Sequence, residues 1–275
     1  MSIDTIDVNG RATLVARSGS GTPVLYLHGL VGDLHATADP AAGWAGLAAL
    51  LAEQREVIAP AHPGWPGTDV GSGLDDMTDW TFHLVDLLDA LGLERVDVVG
   101  ASFGGWLAAE LAVRHPSRLE RLALVAPLGV HVPGSSASPF FRAVAPRGIG
   151  GFGEARRLLF ADPNGEVAAA CLGDDMDRDA QLRWFGGLAG SARLGWDAPH
   201  FQSRALTRHL RRLRAPLLLV WGADDRVAPP AHAATWLASV PAARSIVVEG
   251  AGHALALEQP DSVAADVLTH LRSRG

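Results

Sequence analysis

The chain contains no lysine and a single cysteine, and each scarcity excludes a kind of chemistry. Without lysine, no side chain can form a Schiff base with a carbonyl substrate. Cys171 cannot close a disulfide within the chain, which suits a reducing compartment, and it is an unpromising nucleophile. All 23 positive charges are therefore arginine, which most simply reflects a GC-rich genome.

Long apolar runs and basic blocks are missing as well. No run of about eighteen or more apolar residues occurs, so the sequence predicts no membrane span. The N-terminus "MSIDTIDVNGR" lacks the basic start and the apolar stretch of an export signal, which predicts a cytoplasmic location. The net charge of −7, without a basic block, argues against a nucleic-acid partner. Nothing in the sequence indicates an oligomeric state.

Short apolar runs alternate with helical patterns through both ends of the chain. Most of the runs are almost continuous in hydrophobicity, which is typical of parallel strands covered on both faces. The predicted strands are residues 13–17, 24–29, 56–60, 95–100, 121–127, 216–222 and 245–250, and residues 3–17 predict an antiparallel edge hairpin. The predicted helices are residues 41–54, 77–92, 103–115, 230–240 and 261–274. The predicted fold class is therefore α/β, with a doubly wound, mostly parallel sheet.

The alternation stops between about Val130 and Ala205, where a Gly-, Ser- and Pro-rich opening is followed by short helical pieces without a strand. We expect residues 131–205 to form a helical cap, or lid, inserted into a core of residues 1–130 and 206–275. Eight of the chain's seventeen aromatic residues lie in this insertion. They form either a small core of its own or the inner face of a lid over an apolar ligand.

The stretch "VVGASFGGWLA" places Ser102 between Gly100 and Gly104, where a predicted strand meets a predicted helix. Ser102 could simply begin the helix, since Ser is favoured at helix N-termini. A helix start does not need glycine on both sides, whereas a sharp turn that lifts a hydroxyl clear of a sheet does. The pattern GxSxG alone is weak, because this composition gives roughly a one-in-five chance of an accidental match. Its position between strand and helix indicates a nucleophile.

A serine hydroxyl is nearly inert at neutral pH, so it needs a base, a group that orients the base, and donors for the developing oxyanion. His253 follows the last predicted strand on a loop of small residues and is the predicted base. Asp224 and Asp225 follow the preceding strand, at the edge where open α/β sheets build their sites. An aspartate pair can also form an ordinary exposed turn. The residues predict a Ser–His–Asp arrangement with either aspartate.

These motifs resemble those of the α/β-hydrolase fold family, in its group of lidded esterase-like and C–C-hydrolase-like members. The similarity covers nearly the whole chain and rests on "LHGLVG" (27–32), "HPGWPGTD" (62–69), "GASFGG" (100–105), "WGADDRVAP" (221–229) and "GAGHALALEQP" (250–260). The resemblance implies Ser102 as nucleophile, His253 as base and then acid, and Asp225 as the orienting carboxylate. It also implies an oxyanion hole formed by the backbone N–H groups of Leu30 and Phe103.

The implied function is a serine hydrolase that cleaves a carboxylic ester or lactone with an apolar group through an acyl-enzyme. Within the resemblance, a serine nucleophile in place of aspartate argues against haloalkane dehalogenation and epoxide opening. Ala254 follows His253 where many C–C hydrolases of this group have an aromatic residue, which lowers the C–C hydrolase alternative. The alternatives are hydrolysis of a C–C bond, thioester or amide with the same three residues, and a small-molecule receptor with this fold. The expected partner is a small apolar carbonyl compound. The sequence carries no metal or cofactor motif, so no cofactor is expected.

Overall fold

The structure, a computed structural model, describes residues 1–29, 46–65, 74–136, 139–140, 143, 152–173, 193–195 and 200–273. The strands within these ranges are β1 Ser2–Val8, β2 Arg11–Ser18, β3 Pro23–Leu27, β4 Glu56–Pro60, β5 Val96–Ala101, β6 Leu119–Val125, β7 Gly129–Val130, β8 Gln202–Ser203, β9 Leu217–Gly222 and β10 Arg244–Val248. The α-helices within the same ranges are α1 Gly46–Ala52, α2 Met77–Ala90, α3 Phe103–Arg114, α4 Gly153–Leu159, α5 Glu166–Cys171, α6 Arg204–His209, α7 His232–Ser239, α8 Leu255–Glu258 and α9 Pro260–Arg272.

In the described part of the chain, eight strands form one sheet in the order β1-β2-β4-β3-β5-β6-β9-β10. The β1–β2 and β2–β4 pairs are antiparallel, whereas every other pair in this sheet is parallel. The predicted edge hairpin and the predicted mostly parallel sheet are therefore confirmed. The carboxyl ends of β3, β5, β6, β9 and β10 meet at one edge of the sheet, where open α/β sheets bind ligands.

The apolar strands are explained by helices that cover both faces of the sheet. In β3, Leu25 and Leu27 belong to one buried cluster, whereas Val24 and Tyr26 belong to a second cluster on the opposite face. The first cluster includes side chains of α2, α3 and α7, and the second includes side chains of α1 and α9. Because each strand is buried on both sides, near-continuous hydrophobicity replaces an alternating pattern. The doubly wound arrangement is confirmed.

The segment between β7 and β8 departs from this alternation, and its described parts include α4 and α5. The sequence predicted no strand in residues 131–205, which is wrong, because Gln202–Ser203 pairs with Gly129–Val130 in a two-stranded parallel sheet. Two residues are too few to produce a hydrophobic period. The predicted helical piece "DRDAQLRWFGGLAG" lies outside the described residues, and the cap limits stay a prediction.

A buried histidine joins the N-terminal hairpin to α2. His83 is 7% exposed, and its Nε2 lies 3.2 Å from the Thr13 hydroxyl oxygen. Burial, followed by the charge of Arg11, lowers the pKa of His83 from 6.5 to about 4. Between these two pH values the unfolded chain binds a proton that the folded chain does not, so stability falls as the pH falls through this window.

We expect His83→Gln to lessen the decline in the free energy of unfolding between pH 7 and pH 4. The contribution of one group with this shift reaches about 3 kcal/mol at most. Urea denaturation at pH 7, 5.5 and 4 measures it, with His209→Gln, a partly exposed histidine of α6, as the control. If the free energy of unfolding of His83→Gln depended on pH as steeply as that of the wild-type chain, His83 would not be a source of this pH dependence. Burial also lowers the pKa of His62, His232 and His270, so some slope should remain.

Candidate active site

Ser102 lies in a strained turn between β5 and α3. Its backbone angles are φ 52° and ψ −114°, and such a conformation costs a non-glycine residue about 1–3 kcal/mol. The end of β6 holds the turn, since the Ser102 N–H donates to the Val125 carbonyl at 2.8 Å and the Leu128 N–H donates to the Ser102 carbonyl at 3.1 Å. Ser102 precedes α3, but its side chain makes no capping hydrogen bond. Its hydroxyl therefore does not serve as a helix cap.

Glycine is required around this turn because the backbones pass very close to one another. A Cβ atom on Gly104 would overlap the carbonyl groups of Leu27 and His28, and one on Gly100 would lie 2.6 Å from the Gly104 carbonyl oxygen. A Cβ atom on Gly29 would lie 3.2 Å from the Cβ of Ser102. These contacts let α3 begin directly above β3 and place the Ser102 hydroxyl at the carboxyl edge of the sheet.

The structure brings Ser102, His253 and Asp225 together in one hydrogen-bonded chain. Ser102 Oγ lies 2.8 Å from His253 Nε2, and His253 Nδ1 lies 2.8 Å from Asp225 Oδ2. His253 is 7% exposed and Asp225 is 3% exposed. An ionised carboxylate only accepts hydrogen bonds, so His253 carries its proton on Nδ1. Nε2 is then the nitrogen that accepts from the serine hydroxyl.

The backbone after β9 fixes the Asp225 carboxylate. Its Oδ1 accepts from the N–H groups of Val227 at 2.9 Å and Ala228 at 2.8 Å, which leaves Oδ2 directed at His253. Asp224, the alternative that the residues alone left open, is exposed. The geometry therefore places Asp225, as the family resemblance implied, against the imidazole.

One of the two predicted oxyanion donors lies within the described residues. The N–H of Phe103 belongs to the first turn of α3, where backbone N–H groups have no acceptor within the helix. Nothing in the described part of the chain accepts a hydrogen bond from it. Leu30, the second predicted donor, lies outside the described residues, so the oxyanion hole stays a prediction.

His28, at the end of β3, packs against His62. The His28 Nδ1–H donates to the Gly29 carbonyl at 2.9 Å, and its Nε2 accepts from the His62 N–H at 3.3 Å. The His62 Nε2–H donates to the His28 carbonyl at 2.9 Å, and the two ring centroids are 3.8 Å apart. Burial holds the pKa of His62 well below its usual value. These contacts favour a structural role for His28 in this loop over proton transfer.

An apolar cavity adjoins Ser102 and His253. Its wall includes core side chains and side chains from the segment between β7 and β8, namely Leu47, Val125, Phe140, Leu159, Val227 and Leu257. Of the lining residues that the structure describes, Ser102, His253 and Tyr26 alone carry polar side-chain groups. The chemistry of this lining suits an apolar group rather than a charged one. Phe140 is one of the aromatic residues of the insertion that could have lined a lid, whereas the other wall residues named here resemble ordinary core positions in the sequence.

Two charged residues at the site lay inside the quoted motifs without an assigned role. Glu258 accepts hydrogen bonds from the backbone beside His253, and Arg226 donates to backbone carbonyls beside Leu159. Their partners are backbone groups, which leave no trace in the residue pattern. Only their places in "GAGHALALEQP" and "WGADDRVAP" could have drawn attention to them.

The described part of the chain shows neither a metal-binding cluster nor a membrane-spanning helix. There, no group of three or more His, Cys, Asp or Glu side chains could hold a metal ion. None of the helices described is long and apolar enough to cross a membrane. The expected cytoplasmic location and the expected absence of cofactors and nucleic-acid partners stay predictions.

Comparison with known proteins defines the class. The alpha/beta hydrolase fold family matches residues 22–260, so the chain belongs to that family. Over 151 residues it is 36% identical to 2-hydroxymuconate semialdehyde hydrolase of Pseudomonas sp. (strain CF600), a match that covers 54% of this chain and 50% of that protein.

Two longer matches agree with this membership. Over 268 residues the chain is 31% identical to the dihydrolipoyllysine-residue acetyltransferase component of the acetoin cleaving system of Cupriavidus necator, covering 96% of this chain and 68% of that protein. The solved structure of naproxen esterase from Bacillus subtilis superposes with a TM-score of 0.76 at 21% identity, covering 98% of this chain and 91% of that chain. At that identity the likeness shows the shared fold.

Proposed function

We propose that the protein is a serine hydrolase that cleaves carboxylic esters or lactones with an apolar acyl or alcohol part. The observation that carries this proposal is the hydrogen-bonded chain from Ser102 through His253 to Asp225 at an apolar cavity. Membership of the α/β-hydrolase family supports a hydrolase with a small-molecule substrate.

Acylation begins when Ser102 Oγ attacks the acyl carbon and His253 Nε2 takes the hydroxyl proton. The Asp225 carboxylate stabilises the imidazolium that forms. The N–H groups of Phe103 and Leu30 stabilise the negative charge on the carbonyl oxygen. The imidazolium then donates its proton to the leaving alcohol as the C–O bond breaks. An acyl group remains on Ser102.

Deacylation repeats the same proton transfers with water. His253 takes a proton from the water as its oxygen attacks the acyl carbon, and then returns this proton to Ser102 Oγ as the bond to the serine breaks. One ester and one water therefore give one acid and one alcohol. The enzyme ends in its starting state, and no cofactor takes part.

The composition of the cavity wall favours a neutral apolar acyl group over an anionic one. No arginine lies among the lining residues that the structure describes, and an unpaired carboxylate is costly in apolar surroundings. The relatives named as 2-hydroxymuconate semialdehyde hydrolases make C–C bond hydrolysis the second candidate. Ala254 argues against that candidate, because it follows His253 where many C–C hydrolases of this group have an aromatic residue.

We expect a fluorophosphonate to label one serine per chain, located at Ser102 by peptide mass spectrometry. With p-nitrophenyl esters, kcat/KM should rise from acetate to hexanoate, because each buried CH₂ contributes about 0.8 kcal/mol, or about fourfold. Leu159→Ala should weaken this rise, since Leu159 lines the cavity. Leu158→Ala is the matched control, because Leu158 is the neighbouring residue and does not appear in the cavity wall.

Three outcomes would contradict the proposal. Absence of label from Ser102 would contradict the assignment of Ser102 as the nucleophile. Turnover of ketone substrates without ester turnover would favour C–C bond hydrolysis. A single slow cleavage per chain, without sustained turnover, would favour a small-molecule receptor.

A further inference from the structure

The proposed mechanism does not use Glu258 and Arg226, yet both connect the loops of His253 and Asp225 to one piece of chain. We call this piece, residues 157–162, the bridging segment. It runs from the end of α4 into the following turn. Through Leu159 it also contributes to the wall of the cavity beside Ser102.

The carboxylate of Glu258 joins the His253 loop to the bridging segment. Its Oε2 accepts from the Gly252 N–H at 2.7 Å, and its Oε1 accepts from the Ala161 N–H at 2.7 Å. Burial raises the pKa of the Glu258 carboxyl, while backbone N–H groups, that of Gly252 foremost, oppose the rise. A half-buried carboxylate is thus held by backbone donors from two separate parts of the chain.

Residues on both sides of His253 also touch the bridging segment directly. The Ala254 N–H donates to the Leu159 carbonyl at 2.8 Å. A Cβ atom on Gly252 would lie 2.6 Å from the Leu159 carbonyl oxygen and 2.8 Å from the Ala161 nitrogen. His253 is therefore flanked on each side by backbone that packs on this segment.

Arg226 makes the matching connection on the Asp225 side. Its Nη1 donates to the carbonyls of Arg157 and Phe160, both at 2.9 Å. The carbonyl groups in the last turn of a helix have no N–H donor within the helix, so a guanidinium that donates to them satisfies these acceptors. Because Arg226 directly follows Asp225, the same segment is attached to the loops of both residues.

The loop that precedes His253 has no long side chain to anchor it. It approaches His253 through Gly250, Ala251 and Gly252, which have no side chains long enough to anchor it. Proton transfer demands accurate placement, and a misplacement of about 1 Å can cost about 10²-fold in rate. The Asp224 N–H donates to the Ala251 carbonyl at 2.9 Å, and the hydrogen bonds to the bridging segment restrain the loop on its other side.

We propose that Glu258 and Arg226 are positioning residues that lock the bridging segment onto the loops of His253 and Asp225. The Ser–His–Asp chain is then aligned for proton transfer only while Glu258 and Arg226 keep their hydrogen bonds to this segment. This inference rests on the proposed function, because it assigns a role in the action of His253 as a base.

The test is Glu258→Gln, which keeps the size of the side chain but has one acceptor oxygen and turns an NH₂ group toward a backbone N–H. We expect the second-order rate of Ser102 labelling by a fluorophosphonate to fall about 10- to 100-fold, with a final yield of one label per chain. The value of kcat with p-nitrophenyl acetate and with p-nitrophenyl hexanoate should fall by the same factor. The control is Glu249→Gln, since Glu249 is exposed on the same loop and should show no loss.

A labelling rate equal to that of the wild-type chain would overturn the inference. A loss confined to the hexanoate would also overturn it, because the effect would then lie at the cavity wall. A lower melting temperature with full-rate labelling of the folded fraction would show a merely structural role. A wild-type chain that takes no label would instead overturn the proposed function, so the two failures are distinguishable.

A second variant keeps the inference testable if Glu258→Gln does not fold. Arg226 is exposed, so Arg226→Gln should fold. It removes both hydrogen bonds to the carbonyls of the bridging segment. We expect about a tenfold slower labelling of Ser102, again with a full final yield. An unchanged rate in Arg226→Gln would overturn the inference.

Discussion

Replacing Ser102 with Ala is expected to abolish fluorophosphonate labelling and nearly all ester turnover while the fold persists. The variant keeps the apolar cavity and the Phe103 N–H but has no atom that can form the acyl-enzyme. Loss of the serine in another serine hydrolase lowers kcat on the order of 10⁶-fold, so we expect a loss of roughly 10⁴- to 10⁶-fold. Steady-state kinetics with p-nitrophenyl butyrate and circular dichroism of the same sample measure both parts of the prediction.

A companion variant, Ser102→Gly, separates chemistry from backbone strain. Both variants lack the hydroxyl, but only glycine adopts a positive φ without a Cβ penalty. We therefore expect the glycine variant to be as inactive as the alanine variant and about 1 kcal/mol more stable to urea. Retained turnover in either variant would refute the nucleophile. Equal stability of the two would show that the turn stores no strain.

The sheet could be predicted because its strands are buried on both faces. Strands β5 and β9 have every residue buried. In β9 this gives an uninterrupted apolar run, whereas the apolar run of β5 is broken by Asp97, which pairs with Arg55 at 3.1 Å. The boundaries were less predictable. Strand β6 ends at Val125, two residues before the predicted end, because Ala126 adopts a positive φ of 45°.

The residues that meet at Ser102 were predictable because each follows a strand at the same sheet edge. Sequence reasoning alone could not choose between Asp224 and Asp225, since the choice depends on the N–H groups of Val227 and Ala228, which hold one carboxylate oxygen. The family pattern made the choice instead.

The cavity wall and the bridging segment could not be predicted for a different reason. Leu159 and Leu257 are far apart in sequence and meet only because a segment outside the sheet packs against the His253 loop. Glu258 binds backbone N–H groups, which every residue except proline possesses. A contact of this kind carries no side-chain signature at its other end.

Asp225→Asn is expected to lower kcat by about 10⁴-fold with little change in stability, as the same change does in a serine protease. The reason lies in the two N–H groups that Val227 and Ala228 direct at Oδ1. They select the amide oxygen of the new asparagine, so its NH₂ group faces His253 Nδ1. Nδ1 must then accept, which moves the ring proton to Nε2. An Nε2–H cannot take the proton of Ser102.

Asp224→Asn is the matched control, because it removes the same charge from the adjacent, exposed residue. Its kcat should stay within about twofold of the wild-type value, since a screened surface charge contributes little to a buried pair. Steady-state kinetics of both variants with one p-nitrophenyl ester decide the matter. Equal losses of kcat in the two variants would show that the negative charge of the loop matters rather than the tautomer of His253. Full activity in Asp225→Asn would remove Asp225 from the proton-transfer chain, even though its carboxylate lies 2.8 Å from the imidazole.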